Sequence, residues 1–312
     1  MLSVVIPAYN EEELIRDTAE ELRKTLSDAG IPYELLFVDD GSKDSTFAEI
    51  KKEISNSPKC DVRGISLSRN FGKEAAMLAG LNKARGEAVA VIDCDLQHPP
   101  EKLVEMYRLW EEGYEVIEGV KSDRGNEPFF YRLSAKIFYR IVGHSIGFDF
   151  RNASDFKLLD RKAVDEILKM PERHFFFRAL SSWVGFKTTS VSYEVRERAA
   201  GSSKWNLSSL FRYAFRNIAS FTTAPLQIVT VSGVIFLIFA VILAIQTLVR
   251  FLLGESLEGF TTVILIQLLS SSILMVGVGI IGYYIARIYD EVRQRPRYII
   301  SEEYENETAR PE

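Results

Sequence analysis

Asp93 and Asp95 stand one residue apart where a short apolar run, Val89-Ala90-Val91-Ile92, ends. Two acids at the end of a buried strand need partners, because an unpaired carboxylate taken out of water is costly. A hard divalent cation that takes oxygen ligands and bridges to phosphate satisfies both at once. The local pattern also admits a second reading, in which one Asp caps the helix beginning near Pro99 and the other pairs with a basic residue. Cys94, between them, is a poor ligand for such an ion, since Mg2+ disfavours sulfur. Polar clusters follow other apolar runs in the same way: Ala8 to Glu11, Asp39 and Asp40, and Ser68 to Lys73.

The elements that must position these residues are strands alternating with helices. Ser3 to Pro7, Tyr33 to Val38, Val62 to Leu67 and Val89 to Ile92 read as strands. Ile15, Ala19, Leu22 and Leu26 recur at helical spacing between the first two, and helices from about Ser45 and from Lys73 to Ala84 continue the rhythm. Such β-α-β alternation predicts an α/β fold with a mostly parallel sheet and helices on both faces. Ligands then bind outside the carboxyl ends of the strands, where the four polar loops converge on one rim. Further on, Tyr114 to Val120 reads as a strand followed by Lys121 and Arg124, Phe129 to Ile141 as a helix, Asp155 to Leu159 as a strand, and Lys162 to Lys169 as a helix. The aromatic run His174 to Arg178 reads as core, and Lys187 to Val195 as a strand leading into the basic loop Arg196 to Trp205.

Composition divides the chain. Hydrophobic residues make up 47% of 312, but no charged residue occurs between Arg216 and Arg250 or between Glu258 and Arg287. Each gap is long enough for the ~20 residues that cross a bilayer. Spanning helices are expected at about 226–248 and 262–286, preceded by an amphipathic interfacial helix whose apolar face runs from Leu207 to Phe221. Arg212 and Arg216 before the pair, and Arg287, Arg293, Arg295 and Arg297 after it, place both termini and the large domain in the cytoplasm, with Arg250 snorkelling on the other side. The expected organisation is a catalytic domain over 1–205, the interfacial helix over 206–224, a transmembrane hairpin over 225–288 and a cytoplasmic tail over 289–312. The net charge of −5 gives no sign of nucleic-acid binding. Cys60 and Cys94 make no disulfide framework, and the N-terminus, with acids directly after its apolar run, reads as a strand rather than a signal peptide. The fingerprint-like Gly277-Val278-Gly279-Ile280-Ile281-Gly282 lies inside a spanning run with no strand before it, so close helix packing explains it better than a cofactor site, as does the small pair Gly282 and Ala286.

The segments Val5 to Glu11, Val38 to Ser42, Asp93 to Gln97, Asn70 to Lys73, Gly201 to Trp205 and Arg287 to Tyr298 together resemble one family over essentially the whole chain. They are similar to the family 2 glycosyltransferases that load a sugar from a nucleotide donor onto a polyprenyl phosphate, the group of dolichyl-phosphate mannose synthase and the bacterial undecaprenyl-phosphate glucosyltransferases. The resemblance implies a GT-A type domain and inversion at the anomeric carbon. It implies that Pro7, Tyr9, Glu11 and Asp40 hold base and ribose, and that Asp93, Asp95 and Gln97 surround a Mg2+ or Mn2+ bridging the diphosphate. It further implies that Asp155 serves as base or acceptor-orienting group, and that Arg198, Ser203 and Lys204 form a basic loop over the phosphates; Lys121 and Arg124 are available to assist that loop. For Asp155 the alternative is a strand-end residue paired with Arg151 or Lys157, and for Lys121 a solvated basic face.

Likeness to the glucosyl enzymes favours UDP-glucose as donor; GDP-mannose, UDP-N-acetylglucosamine or an aminoarabinose nucleotide keep the reaction and change the sugar. A processive synthase would need more spanning helices and a Gln-x-x-Arg-Trp motif. A non-catalytic membrane tether would gain nothing from clustered acids. Water-soluble donor and lipid acceptor must meet at the headgroup plane, so the rim is expected to face the bilayer. Two spanning helices are few for moving the product across it, so a separate flippase is the expected partner, with homo-oligomerisation left open.

Overall fold

The seven residues of Leu2–Ala8 (β1) are all buried, as befits a strand in the middle of a sheet covered on both faces. Its alternate side chains part company: Leu2, Val4 and Ile6 enter one core and Val5 the other. The computed structural model describes residues 1–57, 61–122, 154–170, 176–194, 224–253 and 259–306. Within them, Ile15–Asp28 (α1), Tyr33–Asp39 (β2), Thr46–Asn56 (α2), Val62–Leu67 (β3), Lys73–Lys83 (α3), Ala88–Val91 (β4), Glu101–Glu111 (α4) and Val116–Lys121 (β5) alternate. Lys157–Asp160 (β6), Arg161–Lys169 (α5), Phe177–Trp183 (α6) and Thr188–Tyr193 (β7) follow.

The described strands form one eight-stranded sheet in the order β7-β5-β6-β4-β1-β2-β3-β8, where β8 is Ile300–Glu305. β4, β1, β2 and β3 run parallel, as do β5 and β7, while β6 is antiparallel to both its neighbours. The expected mostly parallel α/β sheet is therefore found. One face is packed by α1, α2 and α4 through residues such as Leu22, Ile50 and Leu103. The other is packed by α3, α5 and α6 through Ala76, Leu81, Val164 and Leu180. Of the aromatic run His174 to Arg178, Phe177 is buried in this second core, Phe176 and Arg178 are partly buried, and His174 and Phe175 lie outside the described residues.

β8 is the element that local pattern did not announce. Residues 289–312 read as a tail, yet Ile300–Glu305 pairs antiparallel with β3 and is tied by Lys51 to Glu302 at 2.6 Å, Lys83 to Glu303 at 2.5 Å and Arg85 to Glu305 at 2.8 Å. An edge strand with four of its six residues exposed carries no apolar alternation for a reader to find.

The chain divides into two compact units, 1–206 with 295–312, and 207–294. The second contains the helices Ala224–Leu252 (α7) and Phe260–Val292 (α8). Their stretches Val229–Arg250 and Ile266–Val292 are long and apolar enough to cross a membrane, and large side chains such as Leu237, Ile238, Leu274 and Met275 are exposed along them. α8 runs past the expected end at Ala286 to Val292. At Gly277 an added Cβ would come to 3.0 Å from Val229, which supports close packing there, whereas at Gly279 and Gly282 it would meet nothing within 4 Å among the described residues. The expected helices at 129–141 and 207–221, and the basic loop at 196–205, lie outside the described residues.

Candidate active site

Each loop of the rim begins where a parallel strand runs out, and the loops are laced to each other by short polar side chains. Asn10 accepts from Lys43 N–H at 2.9 Å and donates its own N–H to Ser42 Oγ at 2.9 Å. Glu11 N–H donates to Thr46 Oγ1 at 2.9 Å, and Glu12 accepts from Ser45 N–H at 2.8 Å. The loop after β3 is pinned by Asp40, whose two oxygens accept the N–H groups of Phe71 at 2.7 Å and Gly72 at 2.8 Å. Burial pushes the Asp40 carboxyl up, against those two N–H groups, and neighbouring Asp39 adds to the rise. After β4, Asp95 Oδ1 accepts from Gln97 N–H at 3.2 Å across Leu96, which has a φ of 54°. A leucine in the left-handed region is held there against its preference. Asn10, at φ 54°, marks the loop after β1 in the same way.

These loops enclose a cavity of about 280 Å³ lined by Pro7, Tyr9, Glu11, Asp40, Lys73, Asp93 and Asp95, among others. The first unit thus brings together six of the residues expected to bind donor or metal. Gln97 adjoins it through the Asp95 turn, but Lys121, exposed at the end of β5, is not among the lining residues. Arg198, Ser203 and Lys204 lie outside the described residues, as do Arg124 and Arg151.

Asp93 and Asp95 do not cap the next helix: α4 begins at Glu101 with Pro100 at its N-cap and no side-chain cap. Asp93 instead meets Lys73 Nζ at 2.6 Å, and the same ammonium donates to Asp155 Oδ2 at 2.9 Å. Asp155 is buried and accepts two further bonds from Arg178, Nε to Oδ1 at 2.7 Å and Nη2 to Oδ2 at 2.9 Å. Among the described residues its partners are thus Lys73 and Arg178 and not Lys157, which is fully buried and pairs with Glu118 at 2.5 Å; the pairing with Arg151 lies outside the described residues. Burial alone would raise Asp155, but Lys73 and Arg178 outweigh it and hold the carboxyl well below the usual carboxylate range. For Lys73, burial works downwards and the carboxylates of Asp93 and Asp155 more than offset it, keeping the ammonium above its ordinary value. Beside this pair, burial and then the charge of Asp155 push Glu74 up to about 8, although it accepts Phe177 N–H at 3.0 Å.

Sequence alone does not mark Lys73 and Arg178 as site residues. A signal existed for the first: a lysine opening a helix faces the positive end of the helix dipole, an arrangement that needs acids nearby. Arg178 stands as a single charge after an aromatic run, and nothing local says which acid it meets.

The donor set fits a hard divalent cation. Asp93 and Asp95 offer two carboxylates from one turn, while the Cys94 side chain is buried against Thr18, its thiol pushed up to about 12 chiefly by burial. Among the described residues no group of three or more His, Cys, Asp or Glu could hold a metal by itself. An ion here would complete its shell with substrate phosphate oxygens and water, which is how Mg2+ is usually held.

The model of the family described as Glycosyl transferase family 2 matches residues 3–168. Over 314 residues the chain is 39% identical to the "Uncharacterized glycosyltransferase YkcC" of Bacillus subtilis, covering 99% of this chain and 95% of that protein. It is 36% identical over 301 residues to the "Prophage bactoprenol glucosyl transferase homolog" of Escherichia coli, covering 96% and 98%. It is likewise 36% identical over 307 residues to the "Bactoprenol glucosyl transferase" of Shigella phage SfV, covering 97% and 98%.

Proposed function

The chain belongs to glycosyl transferase family 2, and on that footing we propose that it transfers glucose from UDP-glucose to a polyprenyl phosphate, with inversion, at the cytoplasmic face of a membrane. The observation that carries this reading is the convergence of Asp93 and Asp95 with Pro7, Tyr9, Glu11 and Asp40 on one cavity at the carboxyl ends of parallel strands. Relatives matched over nearly their full length and named for glucosyl transfer to bactoprenol support the sugar and the lipid.

In this mechanism Pro7, Tyr9 and Glu11 hold the nucleotide, and Asp40 fixes the loop at 70–72 that forms the cavity wall. Asp93, Asp95 and Gln97 would hold a Mg2+ or Mn2+ ion, which would supply Lewis-acid stabilisation of the charge that builds on the departing diphosphate. The acceptor phosphate, ionised near neutral pH with a second pKa of about 6, attacks the anomeric carbon from the face opposite the diphosphate. The new carbon–oxygen bond forms as the bond to the diphosphate breaks, and the released electron pair stays on UDP. Arg198, Ser203, Lys204 and Lys121 are assigned to the phosphates. The helices α7 and α8 cross the bilayer as a hairpin behind an interfacial helix at 206–224. The arginines that follow α8 support a cytoplasmic placement of both helix ends. A separate flippase would carry the product across, and self-association is compatible with this reading.

The test is to incubate the full chain in detergent with radiolabelled UDP-glucose, UDP-N-acetylglucosamine and GDP-mannose and a short polyprenyl phosphate, then extract the lipid. Glucose label is expected in the lipid phase, lost on chelation of divalent ions and reduced about 100-fold or more by Asp95→Asn. Label from another sugar would replace the donor, and undiminished transfer by Asp95→Asn would remove the metal assignment. Absence of transfer from every donor would favour a membrane tether.

A further inference from the structure

We propose that Lys73 and Arg178, held on either side of the Asp155 carboxylate, are the cations that receive the phosphate monoester of the acceptor, and that Asp155 is a positioning residue rather than a proton acceptor. This rests on the glycosyl-transfer reading above and names the acceptor end of the same site.

The geometry is one-sided. Both oxygens of Asp155 are taken by three N–H donors, from Lys73 Nζ and from Nε and Nη2 of Arg178. The carboxylate side chain is 7% exposed, whereas those of Lys73 and Arg178 are 42% and 35% exposed. An anion approaching from solvent therefore meets the two cations before it meets the acid. With Asp93 counted on the far side of Lys73, two cations face two carboxylates, and Glu74, pushed up to about 8, adds little further negative charge near neutral pH. Arg presents a planar fork suited to phosphate oxygens, and Lys a compact charge with several donors. A carboxyl held far below its ordinary range is a weak base, and a phosphate that is already ionised has no need of one.

Arg178 is placed by a built support. The N–H of Phe177 bonds Glu74 at 3.0 Å, buried Lys157 donates to Ser181 Oγ at 2.8 Å, and Ser182 Oγ donates to Glu118 at 3.0 Å. Burying a lysine is expensive unless it is paired, and here the pair fastens α6, and with it Arg178, to the strands β5 and β6. The position also suits the reaction. Lys73 touches Asp93 on the donor side and Asp155 on the other, so it lies between the two carboxylates where two anionic substrates have to approach each other. A cation there lowers their mutual repulsion.

The experiment measures binding as well as turnover, using the full chain in detergent, with geranyl phosphate, geraniol and inorganic phosphate as probes for calorimetry. Arg178→Gln and Lys73→Gln are each expected to weaken geranyl phosphate binding at least about tenfold, the scale of a lost charge-assisted hydrogen bond. UDP binding in the presence of Mg2+ should stay within about twofold for Arg178→Gln, with Arg178→Lys recovering part of the loss. Asp155→Asn should raise the acceptor KM and keep the wild-type pH dependence of its residual kcat/KM. Variants that bind geranyl phosphate as the wild type does, a wild type that does not bind it, or equal affinity for inorganic phosphate would each overturn the assignment. So would an Asp155→Asn variant whose acceptor KM is unchanged while kcat collapses, the signature of a lost base. A wild type that transfers sugar while the variants bind normally removes this site and keeps the transferase. Binding through Lys73 and Arg178 without transfer from any donor does the reverse.

Discussion

Glu74 makes the rim sensitive to pH. Its carboxyl is pushed from 4.5 up to about 8, first by burial and then by Asp155, with the N–H of Phe177 working the other way. Between about 4.5 and 8 the folded protein therefore holds a proton that the unfolded chain has released, and stability falls as pH rises across that window. Asp155 has the opposite sign: its depressed carboxyl contributes stability that is complete above its unfolded value of 3.8 and is lost as pH falls towards the folded value. Glu74→Gln keeps the shape and removes the titration. Thermal midpoints taken from pH 5 to 9 are expected to fall for the wild type relative to the variant, with the largest gap at the alkaline end. A wild type that gains on the variant as pH rises would mean that the charged form is the one the fold prefers. Cys94 is a buried thiol pushed up to about 12, chiefly by burial, so little thiolate exists there near neutral pH.

Among the elements, α3 determines how closely the site is drawn together. It carries Lys73 at its first position and packs on β1 and β2, with Gly80 facing Val5 and Val38 and the small residues Ala76 and Ala79 buried in the same core. A Cβ added at Gly80 would come to 2.2 Å from Cγ1 of Val5, a β-branched side chain in the middle of β1 with little freedom to yield. Gly80→Ala gains up to about 1 kcal/mol of helix propensity, but crowding of a packed core costs about 1–3 kcal/mol. The net expectation is a lower denaturation midpoint, together with weaker sugar transfer as Lys73 moves off Asp93 and Asp155. Unchanged stability would mean that the helix has room the packing does not suggest. The helix itself was legible from its sequence; its unusually close seat was not, because a glycine inside a helical pattern says nothing about what lies beneath it.

At the scale of the whole molecule, the chain leaves its first unit near residue 206 and rejoins it at 295. β8 is the seam of that return. It covers the outer edge of β3, whose backbone groups would otherwise offer a template for pairing with another chain. A chain ended after Gln294 keeps every proposed catalytic residue and both apolar helices. It is nevertheless expected to unfold at a lower temperature and to aggregate in detergent, as seen by size-exclusion chromatography. A monodisperse truncated protein of unchanged midpoint would show that the seam contributes little.

The β-α-β rhythm, the acids at the strand ends and the two apolar runs were all determined by the sequence itself. Each is a local regularity, a period of two or 3.6, a charge that closes an apolar run, or a length set by a bilayer. Only the tertiary structure decided that Asp155 meets Lys73, 82 residues away, and Arg178, 23 residues away, rather than neighbouring Lys157. It likewise decided that residues 300–305 close the sheet. Those pairings depend on strand order, register and helix seating, which place distant charges side by side, and no local period encodes which two will meet.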